Sequence, residues 1–264
     1  MAKASLKSIH NLINMAVKET PVNERFLQDL KASIERMDAD NSRKPSQTYK
    51  PSSMNCIRNM YYQVVGAEQD PGRSEYCLIG ICESGSDRHE RIQNAVSHMK
   101  DYGVDCEYID VADYITRNNL DRLEVVGKQG FETKLYHKDL NISFLCDGIV
   151  RYQGKYYILE IKTESVYKWQ SRTDVAEEHH NQATCYSMCF GINDVLFVYE
   201  NRDNCDKKCY VFTVTDDMRM GVVTKIEECD LYVKQGTPPP KPVDVPKKAC
   251  TYCSYKTECR KAGS

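Results

Sequence analysis

No uninterrupted apolar run in this 264-residue chain approaches the roughly 20 residues that a membrane-spanning helix requires, so a soluble protein with no membrane partner is expected. The chain also lacks a strong charge of either sign. Its formal net charge is -2 with 28% charged residues, so no global field draws in a polyanion, and any grip on nucleic acid must come from local basic patches. The opening Met1-Ala2-Lys3-Ala4-Ser5-Leu6 has neither the apolar core nor the small-residue cleavage site of a secretory signal, which makes the reducing cytoplasm the expected compartment. There is no internal repeat and no large low-complexity tract.

Cysteine, by contrast, is plentiful. Thirteen cysteines, an odd number at irregular spacing, argue against a complete disulfide framework in a reducing compartment and make metal binding the leading explanation for some of them. The length suits one catalytic unit with embellishments.

Apolar residues at helical spacing (Leu6, Ile9, Leu12, Ile13, Val17, then Phe26, Leu27, Leu30, Ile34, Met37) predict two helices around Pro21-Val22-Asn23. A third helix is expected at Met54–Tyr62, with Cys56 near its start. A longer one is expected from Glu75 to about Met99, broken or kinked around Gly85. From Leu123 onward β-branched and aromatic runs alternate with turn signals and mark the sheet. Phe144–Val150 and Tyr156–Lys162 flank Gln153-Gly154-Lys155 and read as a hairpin. A helix from Val175 to Phe190 stopped by Gly191, strands at Asp194–Tyr199 and Lys208–Val214, and a helix from Asp216 to near Gly236 follow. The proline-rich Thr237–Pro246 is an extended tether to a cysteine-rich tail.

Alternation along a strand places Glu160 and Lys162 on one side and Ile161 in the opposite packing layer. Asp147 comes close to Glu160 across the hairpin, which gives two carboxylates able to share a hard cation such as Mg²⁺ or Mn²⁺, with the Ile161 carbonyl as a third oxygen. Phosphodiester hydrolysis needs such a cation to acidify water, neutralise phosphate charge and orient the groups, while Lys162 holds the attacking water. Short motifs of this type also arise by chance on solvated faces. Here Leu159 and Ile161 flank Glu160 inside an apolar strand, where a carboxylate without a partner would be costly.

Asp147 followed by Glu160-Ile161-Lys162 resembles the signature of PD-(D/E)XK nucleases. Gly85-Ser86-Asp87-Arg88-His89 resembles the glycine-to-histidine motif of the RecB-like members, which implies His89 as a further metal ligand. Gln182-Ala183-Thr184-Cys185-Tyr186 is similar to their glutamine-to-tyrosine motif; its i, i+4 spacing puts Gln182 and Tyr186 on one helix face, and the resemblance implies that they line the DNA path. The chain departs from that group in having Phe144-Leu145-Cys146, without glycine, before Asp147. Glu132 occupies about the place of an additional acidic residue in relatives, a position that a surface glutamate fills equally well.

The tail reads Cys250-Thr251-Tyr252-Cys253-Ser254-Tyr255-Lys256-Thr257-Glu258-Cys259. Three thiolates want a fourth, and spacing alone does not choose between a [4Fe-4S] cluster and tetrahedral zinc. The arrangement of one early cysteine and three late ones resembles nucleases of the AddB type and the CRISPR-associated exonuclease four family. That resemblance implies a structural [4Fe-4S] cluster on Cys56, Cys250, Cys253 and Cys259, with zinc as the alternative. The neighbouring Lys247, Lys248, Lys256, Arg260 and Lys261 are available to phosphates, and Tyr252 and Tyr255 to base stacking.

The expected architecture is therefore α/β, a PD-(D/E)XK restriction-endonuclease-like core with a mixed sheet flanked by helices. It comprises an N-terminal helical region (1–53), the RecB-like core (54–236) and the tether and tail (237–264). The resemblance implies an exonuclease acting on single-stranded DNA ends with 5′ to 3′ polarity, in the company of recombination, replication or CRISPR adaptation proteins. A structure-specific endonuclease and a non-hydrolytic nucleic-acid-binding adaptor are the alternatives.

Overall fold

The computed structural model describes residues 21–40, 46–70, 75–243, 245, 247–251 and 253–263; the helix expected around Leu6–Val17, and Tyr252, lie outside them. The chain divides into two compact units, Met1–Arg43 with Arg73–Ile81, and Lys44–Gly72 with Cys82–Ser264, so residues 44–53 and the tail belong with the core. In the first unit, α1 (Val22–Asp40) is tied to the start of a later helix. Glu35 Oε1 accepts from the Tyr76 backbone N–H at 3.2 Å, and Lys31 Nζ lies 4.7 Å from the Tyr76 ring centre.

The second unit is a mixed five-stranded sheet with a small antiparallel sheet beside it. The large sheet runs in the order β1 (Cys106–Ile109), β5 (Gly148–Tyr152), β6 (Lys155–Glu164), β7 (Asp194–Asn201), β8 (Lys207–Thr213); only β6 and β7 are parallel. A parallel pair needs a crossover, supplied here by α5 (Val166–Ser171) and α6 (His180–Phe190). The small sheet consists of β2 (Leu123–Gln129), β3 (Glu132–His137) and β4 (Ile142–Cys146).

Alternation sorts β6 into two layers. Leu159 and Ile161 pack with Val150 and with Ile92 of α3 (Tyr76–Ser97). Ile158 joins the larger core of Ala183, Phe190, Phe197 and Val222, contributed by α6, β7 and α7 (Asp216–Gln235). Helices thus cover both faces of the sheet. The β5–β6 turn carries Gln153 and Gly154 at φ 49° and 79°, the left-handed pair that a two-residue hairpin loop requires. Short helices α2 (Ile57–Val64), α4 (Val111–Arg117), α8 (Lys247–Thr251) and α9 (Lys256–Lys261) complete the described residues.

Four expectations need correction. The helix through Gly85 is unbroken: Ile92 and Gln93 bury its later half, and a lone glycine costs a helix only about 1 kcal/mol. The segment Phe144–Val150 is not one strand: β4 ends at Cys146, β5 begins at Gly148, and Asp147 is the corner between two sheets. The helix expected from Val175 starts at His180, after a single 3₁₀ turn at Glu177–His179. The large sheet begins with β1, well before Leu123, in a segment too short to show periodicity.

Candidate active site

Two strand registers meet at the Asp147 corner. Thr133 pairs with Cys146 and Gly148 with Leu159, so one further step along each ladder sets Asp147 opposite Glu132 on one side and Glu160 on the other. From the helix layer, His89 of α3 brings Nδ1 to 3.4 Å from Asp147 Oδ1 and 3.5 Å from Glu132 Oε1. Among the described residues, only His89, Glu132 and Asp147 form a trio of metal-capable side chains whose ligand atoms all lie within 4.8 Å of one another. Glu132 therefore stands in this trio, of which Glu160 is not a member.

Glu160 is 3% exposed. Its Oε1 accepts from Lys162 Nζ and, at 2.9 Å, from Gln182 Nε2; its Oε2 is buried with no hydrogen-bond partner. Burial, only partly offset by the Lys162 ammonium, pushes the Glu160 carboxyl up to about 7. Burial pulls the Lys162 ammonium down, but Glu160 outweighs it and the net direction is up. Burial also pulls the His89 imidazole down, yet hydrogen bonds to Asp147 and Glu132 dominate and hold it up at about 10. The His89 proton thus stands between two carboxylates, where a cation would take its place. An orphaned buried carboxylate oxygen and a protonated histidine between acids make a donor set of hard oxygens and imidazole, which fits Mg²⁺ or Mn²⁺. Ile161 is fully buried in the opposite layer, and its N–H donates to Asp147 Oδ2 at 2.6 Å.

Gln182 joins the site through Lys162 Nζ at 3.1 Å as well as through Glu160. Tyr186 does not face the solvent. At 3% exposure its hydroxyl accepts from Gln182 Nε2 at 2.7 Å and donates to the Leu145 carbonyl at 3.2 Å, which makes it a support for Gln182 and not a surface for DNA.

Cys56, Cys250, Cys253 and Cys259, all half-buried, line a single cavity of about 430 Å³. Three N–H groups point at their sulfurs: Arg58 Nη1 at 3.4 Å from Cys259, the Tyr255 backbone at 3.4 Å and Asn59 Nδ2 at 3.8 Å from Cys253. Buried Arg58 also holds the tail through the carbonyls of Pro239 and Gly263, each at 2.9 Å. Tyr255 is 2% exposed and packs on Tyr62, so the expected role in base stacking does not suit it. Of the remaining cysteines, Cys106, Cys146, Cys185, Cys189 and Cys229 are buried, and Cys77, Cys82, Cys205 and Cys209 are exposed.

Sequence reasoning missed the residues that hold Asp147 from behind, Gln93 and Tyr108. The first was available as the i+4 neighbour of His89; the second depends on β1–β5 register and carried no local signal.

No protein-family model matches the sequence, and no curated protein is detectably similar to it. Among solved structures, the chain is similar to SSO0001 at 17% identity, with a TM-score of 0.43 over 90% of this chain and 98% of the other. It is also similar to an alkaline exonuclease, LHK-Exo from Laribacter hongkongensis, at 12% identity and a TM-score of 0.44 over 73% of this chain and 90% of that one. The same enzyme in complex with dAMP gives 13% identity and a TM-score of 0.43, over 72% and 89%. Among the described residues no helix is long and apolar enough to cross a membrane.

Proposed function

We propose that the protein is a divalent-metal-dependent nuclease that hydrolyses DNA phosphodiester bonds at the Asp147 corner, acting as an exonuclease on single-stranded ends. The carrying observation is that the His89–Asp147 and Lys162–Glu160 pairs meet where strand register sets Asp147 opposite Glu160, with Glu160 Oε2 buried and without a partner. Asp147, Glu160 and His89, with Glu132 and the Ile161 carbonyl beside them, would hold the cation. Mg²⁺ or Mn²⁺ there supplies acidification of water and neutralisation of phosphate charge. Lys162, fixed between Glu160 and Gln182, orients the attacking water with its ammonium. Gln182, half-buried, carries the steering of Lys162 and Glu160 toward the scissile phosphate.

The four cysteines hold a structural [4Fe-4S] cluster in this reading. A zinc ion at about 2.3 Å from each sulfur would draw the sulfurs to within about 3.8 Å of one another. The choice of the cluster over zinc rests on the family resemblance. The 5′ to 3′ polarity, and a place in recombination, repair, CRISPR adaptation or phage replication, follow from the family resemblance.

The test is digestion of end-labelled linear and closed circular single-stranded DNA by anaerobically purified protein with Mg²⁺ or Mn²⁺. Divalent-dependent shortening of the linear strand alone, with iron bound to the protein, is the expected result. Cleavage of circles indicates an endonuclease, tight DNA binding without cleavage an adaptor, and bound zinc in place of iron removes the cluster.

A further inference from the structure

Asp147 belongs to neither strand that it joins, because β4 leaves into the small sheet and β5 into the large one. Its backbone carbonyl is therefore cut off from a continuous ladder at a site where the residue is 5% exposed, and a buried carbonyl must find donors elsewhere. Two side chains supply them. Tyr108 of β1 donates its hydroxyl at 2.7 Å, and Gln93 of α3, itself 1% exposed, donates Nε2 at 2.8 Å. Gln93 lies one helical turn beyond His89, so a single face of α3 reaches Asp147 twice, at the carboxylate and at the carbonyl.

The following residue makes this grip possible. A Cβ on Gly148 would lie 2.6 Å from the Tyr108 hydroxyl oxygen and 2.7 Å from its ring, so only glycine lets the phenol come this close. Phe131 meets the Tyr108 ring edge-on, with centres 5.9 Å apart. With the carbonyl held twice and Oδ2 bound by the Ile161 N–H, the oxygen left to face His89 is Oδ1.

We propose that Gln93 and Tyr108 are positioning residues that set the aim of the Asp147 carboxylate through its carbonyl, an inference that rests on the reading of Asp147 as a metal ligand. Neither side chain touches the reacting atoms. Their loss loosens the direction of one ligand oxygen and leaves both core layers intact.

The experiment is Mn²⁺ titration of the intact chain, followed by electron paramagnetic resonance, for the parent, Asp147→Ala, Tyr108→Phe, Gln93→Leu and Gly148→Ala, each with its melting temperature. Tyr108→Phe and Gln93→Leu are expected to weaken Mn²⁺ binding by about 10-fold each, as loss of groups that orient metal ligands does. Their cleavage should be restored by raising Mn²⁺, with KM for DNA unchanged. Gly148→Ala should behave like Tyr108→Phe. Should Gln93→Leu fail to fold, Tyr108→Phe, which keeps the ring, carries the test. Parent-like Mn²⁺ affinity in Tyr108→Phe, when Asp147→Ala has lost it, overturns the positioning role alone. Equal Mn²⁺ affinity in the parent and Asp147→Ala overturns the reading of Asp147 and the positioning role with it.

Discussion

At the carboxylate corner, donors meet because strand register carries them there; at the tail, Cys56 meets Cys250, Cys253 and Cys259 because the last residues fold back onto α2. The corner is bound together by its own hydrogen bonds, and Glu160 Oε2 is buried there without a partner. The tail is held by Arg58 and by Tyr62, whose hydroxyl donates to the Glu258 carbonyl at 3.1 Å, and its four cysteines line one cavity. On the proposed reading the two regions divide their work: a metal at the corner would serve reaction on a scaffold already built, and a metal at the tail would serve folding by closing a long loop.

That contrast breaks most visibly at a cysteine. Cys253→Ser is expected to lose the bound metal and lower the melting temperature by roughly 10 °C, the equivalent of several kcal/mol for a domain of this size. Differential scanning calorimetry with iron and zinc analysis checks it, and an unchanged melting temperature would mean that Arg58 and the tether suffice. Lys162→Met comes next. It strands the buried Glu160 charge and should cost about 3 kcal/mol besides abolishing cleavage, measurable by urea titration.

Glu200 sharpens the comparison from the structural side, since it is fully buried beneath Arg88, Arg91 and Lys207 and is not among the candidate metal ligands. Burial pushes its carboxyl up, but hydrogen bonds from Arg88, Lys207 and Arg91 together outweigh burial and leave it below the ordinary value. A depressed folded-state pKa stabilises above the unfolded value of about 4.3, and that stability is lost as pH falls through the folded value. Glu200→Gln should thus cost about 2 kcal/mol near neutral pH, less than a fully buried pair because its partners are partly exposed, and the gap to the parent should narrow below about pH 4. Melting curves across pH decide it, and a gap that widens in acid would contradict the assignment. The smallest effect is expected for Tyr186→Phe, which removes the link from Gln182 to Leu145. It should cost about 1 kcal/mol and slow cleavage a few-fold, read from single-turnover kinetics.

Much of this was legible in the sequence where chemistry and period coincide. Glu160 and Lys162 on one side of an apolar strand, and Gln182 with Tyr186 one turn apart, are local facts, and the structure brings all four together. What was not legible depended on partners distant in the chain. The split at Asp147 follows from β4 and β5 joining different sheets, and no local residue pattern announces that. Glu132 stayed open between a site acid and a surface glutamate because only the β3–β4 register sets it beside Asp147. Tyr186 and Tyr255 carry a polar tip that suits solvent equally well, and their burial was decided by packing against Phe144 and Tyr62.

The most direct measurement is cleavage of 5′-labelled single-stranded DNA with Mn²⁺ by the parent beside Glu160→Gln, the two matched for folding by their melting curves. A carboxyl-to-amide change keeps the shape, removes the buried charge and removes the ligand oxygens. Divalent-dependent shortening by the parent, with at least about 10³-fold slower cleavage by a folded Glu160→Gln protein, is the expected result. Equal cleavage by both proteins would contradict hydrolysis at the Asp147 corner.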